Sequence, residues 1–445
     1  MKISFLLFTS LLANTRAFQV QETFRSSPRT FSPSPLSAYI DIGEEVERDV
    51  GAMDEWATMC EVQRAEGFQL TTEDGYDYSA LTTADIPEGS PILCIPGNMI
   101  ISTSSVRAEL GGQEAAVDYL TRVGSGDKIG KFFVFLKIMA EYEQGDQSPY
   151  FPWLNSLPRL FFNAIAMTDF CYECLPPLVF QLARQEKVKF DNYFEALQKA
   201  DCISDQMKAN KAVARWAYNI ATTRTQGTEE EKFLAPMADM FNHGTETEVD
   251  FSFDDDGNLY AYATKNVPAG SPLRMSYGCP TNPSQLFAKY GFLDETSPAT
   301  FCKIMTITPT QQLLDIGYGF DKMLFYKDSG EVSEEVWDVL LYQALASNRD
   351  VQQAFYNAHM QGDAATKAAI HQQYSLETST ALMKHVDTFL QQLDDLQAKS
   401  AGKDYNEHPR LPLILKHNEF VRETFLRVKA NLDPMVAQAQ GNVYA

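Results

Sequence analysis

Hydrophobic and polar positions follow two rhythms along this chain, and the changes of rhythm outline its architecture. Val46, Val50, Met53, Ala57 and Cys60 fall three or four residues apart, which predicts a helix. From Phe68 to Ser102 the apolar runs shorten and Gly, Pro and Asp separate them, the mark of strands and turns. The helical rhythm returns between about Arg107 and Thr225, broken at Leu157-Pro158 and at Leu175-Pro176-Pro177. Beyond Pro236, residues 249–253 and 259–263 alternate on either side of Asp254-Asp255-Asp256-Gly257-Asn258, which predicts a hairpin. From about Glu331 onward, Val332/Val336/Val339/Leu340 and Leu382/Val386/Phe389/Leu390/Leu393 recur at helical spacing and predict a separate α-helical domain.

A short echo links the two strand-rich parts. Ala84-Asp-Ile-Pro87-Glu-Gly-Ser-Pro-Ile92 resembles Lys265-Asn-Val-Pro268-Ala-Gly-Ser-Pro-Leu273, with Pro87 and Pro268 separated by 181 positions. Each copy reads as a strand, a tight turn and a strand. Two such units flanking a helical stretch imply one β-rich domain interrupted by helices, and two copies so far apart do not make a solenoid.

Charge narrows the function. The chain has 37 Lys+Arg against 59 Asp+Glu, a net −22, which disfavours a nucleic-acid partner and favours basic ones. Residues 1–40 run against this balance, with Lys2, Arg16, Arg25 and Arg29 opposed only by Glu22. Within them, residues 1–17 read as a signal peptide, and 18–38 as a hydroxylated, basic, transit-like stretch beginning at Phe18. Such a bipartite leader resembles those of algae with secondary plastids, so the plastid stroma is the expected location, with a secreted or endomembrane-lumen protein as the alternative. Seven scattered cysteines (60, 94, 171, 174, 202, 279, 302) do not resemble a disulfide scaffold and fit a reducing compartment. No later stretch reaches membrane-span length, so no membrane association is expected of the mature chain, and the oligomeric state is left open.

No metal site is expected. Cys171-Tyr-Glu-Cys174 is a lone pair, the five histidines after residue 350 are widely spaced, and the triple Asp lacks the Glu an EF-hand requires.

Two segments carry candidate chemistry: Phe233-Leu-Ala-Pro-Met-Ala-Asp239-Met-Phe-Asn242-His243-Gly, and Leu273-Arg-Met-Ser-Tyr277-Gly, continuing to Tyr290-Gly-Phe292. Trp216-Ala-Tyr-Asn-Ile-Ala-Thr-Thr-Arg224 precedes them. In this order, with a hairpin between, they resemble the SET-domain methyltransferases of the Rubisco large-subunit lysine methyltransferase type. The resemblance is specific between about 216 and 293 and looser from about 61 onward. It implies an α+β protein: a β-rich SET fold at about 46–295, with a helical insertion at about 107–225. An all-α C-terminal substrate-binding domain would follow at about 300–445.

The implied activity is methyl transfer from S-adenosylmethionine to a lysine of a protein held by the helical domain. Rubisco large subunit and fructose-bisphosphate aldolase are the substrates the resemblance suggests. Asn242 and His243 would hold the adenosine end of the cofactor, and Arg224 would face its carboxylate. Tyr277 would be the catalytic tyrosine, and Tyr290 and Phe292 would wall the lysine channel. The family's Gly-x-Gly, which lets backbone approach the cofactor, falls here on Asp77 and Ser79, leaving Ser79 as the cofactor-binding candidate of that strand. An acid at Asp77 could repel the cofactor carboxylate. Two alternatives therefore stand beside the first: a catalytically silent SET-fold binding module, and a SET enzyme that methylates histidine.

Overall fold

The computed structural model describes residues 39–278, 281–304 and 306–443, with side chains to residue 437. The expected signal (1–17) and transit-like (18–38) segments lie outside the described residues.

The first helix, Val50–Met59, starts later than the apolar spacing suggests. Asp49 caps it by accepting the Ala52 N–H at 3.0 Å, and Met53, Trp56 and Ala57 are buried. A four-stranded antiparallel sheet follows in the spatial order Gln63–Arg64, Pro91–Ile95, Leu259–Ala263, Val249–Phe253. Its outer hairpin pairs Leu259 with Phe253 and Ala263 with Val249, the register the alternation predicts. Asp254 closes the turn by accepting from the Asp256 and Asn258 amides.

The two echo segments face one another. Ile86 and Val267, 181 positions apart, exchange both backbone hydrogen bonds at 2.8 Å. Asp85 accepts the Ala269 N–H at 2.8 Å, and its counterpart Asn266 accepts the Glu88 N–H at 3.0 Å. The repeat is therefore a local two-fold arrangement that joins the two halves of the β-rich domain across the helical insertion. A parallel pairing of Asn242–His243 with Arg274–Met275 then sets the two motif segments side by side.

The insertion runs from the helix Thr103–Leu110 to the helix Lys211–Arg224. Its prolines act as read from the sequence: Phe151–Ser156 ends before Leu157-Pro158, and Pro177 opens the helix Pro177–Leu197. The helix Ile129–Gln144 is buried along most of its length, and Phe132 meets Tyr193 edge-on at 5.3 Å.

The C-terminal part is helical from Glu334 onward. It begins with a feature the all-α expectation did not contain, a two-stranded ladder of Ala299–Phe301 with Leu324–Tyr326. Short runs such as these carry little periodic signal, so they passed unnoticed beside the longer helices. The helices Ser375–Ser400 and Leu411–Val443 pack together, with Phe389 stacked on Phe425 at 4.5 Å. Arg410 ties this part to the insertion by donating to the Phe161 carbonyl at 2.8 Å and pairing with Glu44 at 2.7 Å. No helix among the described residues is long and apolar enough to cross a membrane.

Candidate active site

Two adjoining cavities open around the motif segments, of about 530 Å³ and about 270 Å³. They share Thr223, Arg224, Tyr277 and Tyr290, which form the partition between them. Each of these residues follows a local structural cause. Arg224 is the last residue of the helix Lys211–Arg224, capped at its start by the Asn210 side chain. Tyr277 follows the strand Arg274–Met275 that pairs with Asn242–His243. Tyr290 ends the helix Pro283–Tyr290, which closes at Gly291 with φ +82°. A side chain there would meet the Asn163 backbone nitrogen at 2.3 Å, so the turn that aims Tyr290 requires glycine.

The partition is aromatic. Tyr277 and Tyr290 lie 4.9 Å apart, and His243 and Phe292 stand 5.5 Å and 6.3 Å from Tyr277. The Tyr277 hydroxyl donates to the Phe241 carbonyl at 2.6 Å, and burial raises its pKa well above the ordinary value. Burial raises Tyr290 in the same way. Both remain neutral phenols at physiological pH.

His243 Nδ1 accepts the Tyr277 backbone N–H at 3.1 Å, which places the proton on Nε2. Burial lowers the His243 pKa, opposed by the Asp294 carboxylate 3.4 Å from Nε2, so the ring is a neutral acceptor. Asn242 donates from its side chain to the Tyr78 carbonyl at 3.1 Å and lines the larger cavity.

The larger cavity also carries charge, from Arg224 in the partition and from Arg48 and Asp77. Arg224 is held by Asp239 through the carbonyl oxygen at 2.6 Å and Oδ2 at 3.1 Å, and Trp153 donates to the same carboxylate at 3.2 Å. Arg48, which no motif marks, enters from the segment before the first helix. It donates to the Ser156 and Tyr76 carbonyls at 2.6 Å and 2.8 Å and lies over the Tyr78 ring. Burial and the neighbouring Arg224 charge lower its pKa to about 9, against the pull of Asp239 and Asp77.

Asp77 lines this cavity and Ser79 does not. Ser79 sits on the strand Ser79–Thr82, paired with Thr71. Burial raises the Asp77 pKa, and the Arg48 and Arg224 charges oppose that rise. The acid that replaces a family glycine therefore stands among cations rather than alone.

The structure thus gathers Arg224, Asn242, His243, Tyr277, Tyr290 and Phe292 around the larger cavity and leaves Ser79 outside its wall. Sequence reading passed over Arg48, which has no motif, and gave no role to Asp239, although that residue lay inside the quoted segment.

Residues 78–278 match the SET domain family. A curated relative, the ribosomal lysine N-methyltransferase set11 of Schizosaccharomyces pombe, is 23% identical over 232 residues. That alignment covers 49% of this chain and 54% of the relative, so the chain matches only about half of that relative's length. Among solved structures, Rubisco LSMT bound to sinefungin and monomethyllysine superposes with a TM-score of 0.62 at 15% identity. It covers 87% of this chain and 92% of its own. Rubisco LSMT bound to AdoMet gives 0.59 at 16% identity, over 88% and 93%. At these identities the likeness establishes a shared fold, one that extends through the helical C-terminal part.

Proposed function

We propose that this chain, a SET-domain protein by its match over residues 78–278, is an S-adenosylmethionine-dependent protein-lysine N-methyltransferase. The observation that carries the reading is the partition: Tyr277 and Tyr290 face two adjoining cavities at once, the larger lined by Arg48, Arg224 and Asp77. A transfer between two separately bound reactants needs that arrangement, with the reacting atoms meeting through a gap in a shared wall.

The larger cavity fits a zwitterionic, nucleoside-bearing cofactor. Arg224 and Arg48 would take the carboxylate of its methionine end, and Asp77 the ammonium group. This gives the departure from the glycine pattern a role and weighs against the silent-module alternative. The Asn242–His243 backbone and Phe292 would hold the adenosine end. S-adenosylmethionine, when bound, supplies a methyl group on a sulfonium that is displaced in line.

What the chain's own residues contribute is positioning and desolvation. A lysine of pKa near 10.4 costs roughly 4–5 kcal/mol to deprotonate at pH 7 in water. Tyr277, Tyr290 and Phe241 line an enclosure that disfavours the charged form and lowers that cost. Their faces also suit a methylated ammonium. Tyr277, fixed by the Phe241 carbonyl, is the catalytic tyrosine of this reading.

The acceptor is a lysine of another protein, which the helical C-terminal part would hold. Solved relatives of the same fold bind lysine, and the curated relative is named for ribosomal lysine methylation. Rubisco large subunit, aldolase and a ribosomal protein are the candidates. The stroma is the proposed location, on the composition of residues 1–38 alone. A fluorescent fusion of that segment in an alga with a secondary plastid tests it, and retention in the endomembrane lumen would refute it.

The activity is tested by titrating the full chain with S-adenosylmethionine. Transfer of labelled methyl to stromal proteins is then followed, with the modified residue mapped by mass spectrometry. Binding and lysine labelling support the reading. A folded protein that binds no cofactor would leave a SET-shaped binding module, and labelled histidine would move the acceptor class.

A further inference from the structure

The smaller cavity, on the acceptor side of Tyr277, has three lysines in its wall: Lys131, Lys232 and Lys289. Lys131 comes from the helix Ile129–Gln144, Lys232 from the strand Lys232–Leu234, and Lys289 from the helix that presents Tyr290. Lys289 Nζ lies 2.7 Å from the Tyr290 hydroxyl and 4.3 Å from its ring centroid. Lys232 Nζ donates to the Gly227 carbonyl at 2.6 Å.

None of the three has a carboxylate partner within ion-pair distance among the described residues. Of the acids nearby, Glu229 and Glu186 act on them from beyond ion-pair distance. Asp239, in the same wall, is held by Arg224 at 3.1 Å, and Glu186 is paired with Lys189 at 2.6 Å. Burial, followed by the charges of Lys289 and Lys232, lowers Lys131 to about 7. Burial likewise lowers Lys232 and Lys289. A chain of net charge −22 has thus gathered three amines without an ion-pair partner at one small opening, and a bound anion would favour their charged forms. That opening would repel a lysine side chain arriving in a neutral or basic segment, and the wall has no structural counterion to relieve it.

We propose that Lys131, Lys232 and Lys289 form an anion subsite at the acceptor channel, which binds a carboxylate side chain flanking the target lysine of the substrate. This rests on the methyltransferase reading above and deepens it by naming the substrate class: a lysine in an acidic segment. The flanking carboxylate supplies the missing counterion and fixes the segment's register.

The test uses the full chain, labelled S-adenosylmethionine and three peptides with one central lysine, flanked by Glu, by Gln or by Lys. The Glu-flanked peptide is expected to exceed the Gln-flanked one in kcat/KM by about tenfold at low salt, with the gap closing near about 0.5 M NaCl. Lys131→Gln and Lys289→Gln should each narrow that preference by about threefold or more, and Lys289→Glu should turn it towards the Lys-flanked peptide. Cofactor binding measured on every variant serves as the folding control. Equal rates on the Glu and Gln peptides overturn the proposal, as does methylation of none of them by a protein that binds cofactor. Variants that lose rate equally on all three overturn it too, as does methyl found on Lys131 or Lys289 itself. Failure of the folded wild-type chain to bind S-adenosylmethionine would instead overturn the methyltransferase reading beneath it.

Discussion

The Tyr277 hydroxyl donates to the Phe241 carbonyl oxygen at 2.6 Å, which fixes the ring in the partition between the two cavities. Removing the hydroxyl keeps the aromatic wall and deletes only the polar contact at the transfer point. Tyr277→Phe is therefore expected to lower kcat by about 10²- to 10³-fold. Cofactor affinity should stay within about twofold, and stability should fall by only about 1 kcal/mol. Single-turnover labelling beside a cofactor titration separates these effects. An equal fall in affinity and rate would mean the hydroxyl serves binding.

Arg224 has two tasks, and they can be separated. Arg224→Ala removes a proposed carboxylate partner of the cofactor and is expected to weaken its binding by about 10- to 100-fold. It also leaves the fully buried Asp239 side chain without its cation, which costs about 3–5 kcal/mol. Adding Asp239→Asn should recover much of the stability, because the uncompensated charge is gone, while leaving cofactor binding weak. Urea denaturation and calorimetric titration of the two single variants and the double variant check both halves.

Where the signal was local, the sequence could be read. The hairpin at 249–263 and the breaks at Pro158 and Pro177 are set by residues within a few positions, so periodicity and turn chemistry located them. The 181-residue echo was legible as a repeat, but the reciprocal Ile86–Val267 pairing was not, since it depends on contacts across the whole insertion. The same limit applies to the site. Arg224, Asn242, His243 and Tyr277 lie in compact segments that carry a resemblance. Arg48 reaches the larger cavity, and Lys131 and Lys289 the smaller one, from distant segments that only the folded chain brings to the site. Ser79 was placed by alignment to a glycine pattern this chain lacks. Asp77 precedes the strand and lines the cavity, whereas Ser79 opens the strand Ser79–Thr82, pairs with Thr71 and does not line it.

Gly291 links the helix end to the acceptor wall. At φ +82°, with the Asn163 nitrogen 2.3 Å from where a Cβ would stand, even alanine forces the backbone to move. Gly291→Ala is expected to cost about 2–4 kcal/mol in stability and to lower kcat by displacing Tyr290 and Phe292. Comparison of its urea midpoint and turnover with those of wild type tests this. A variant of normal turnover would show that the aim of Tyr290 does not depend on this turn.

Acid should destabilise the fold through histidines buried in neutral form. His417 is fully buried between Ser284 and Phe287, and burial, with the Lys303 charge beside it, lowers its pKa to about 3. Burial lowers His243 and His385 too. A histidine whose folded pKa lies below its unfolded value of about 6.5 leaves the unfolded chain binding more protons between the two values. Its contribution is complete above about pH 6.5 and is lost as pH falls towards the folded pKa. For His417 the loss between pH 6.5 and 5 is roughly 2 kcal/mol. Lys303, lowered to about 7, adds little to this window, since its protonation in the folded state is mostly complete by pH 6. Urea denaturation at pH 7 and pH 5 should therefore show a clear fall in stability for wild type. His417→Gln, which has no proton to gain there, should show a fall smaller by that amount. An unchanged pH dependence in the variant would place the acid sensitivity in His243 and His385, since the Asp294 and Glu248 carboxylates, whose pKa values are lowered, act only at more acid pH.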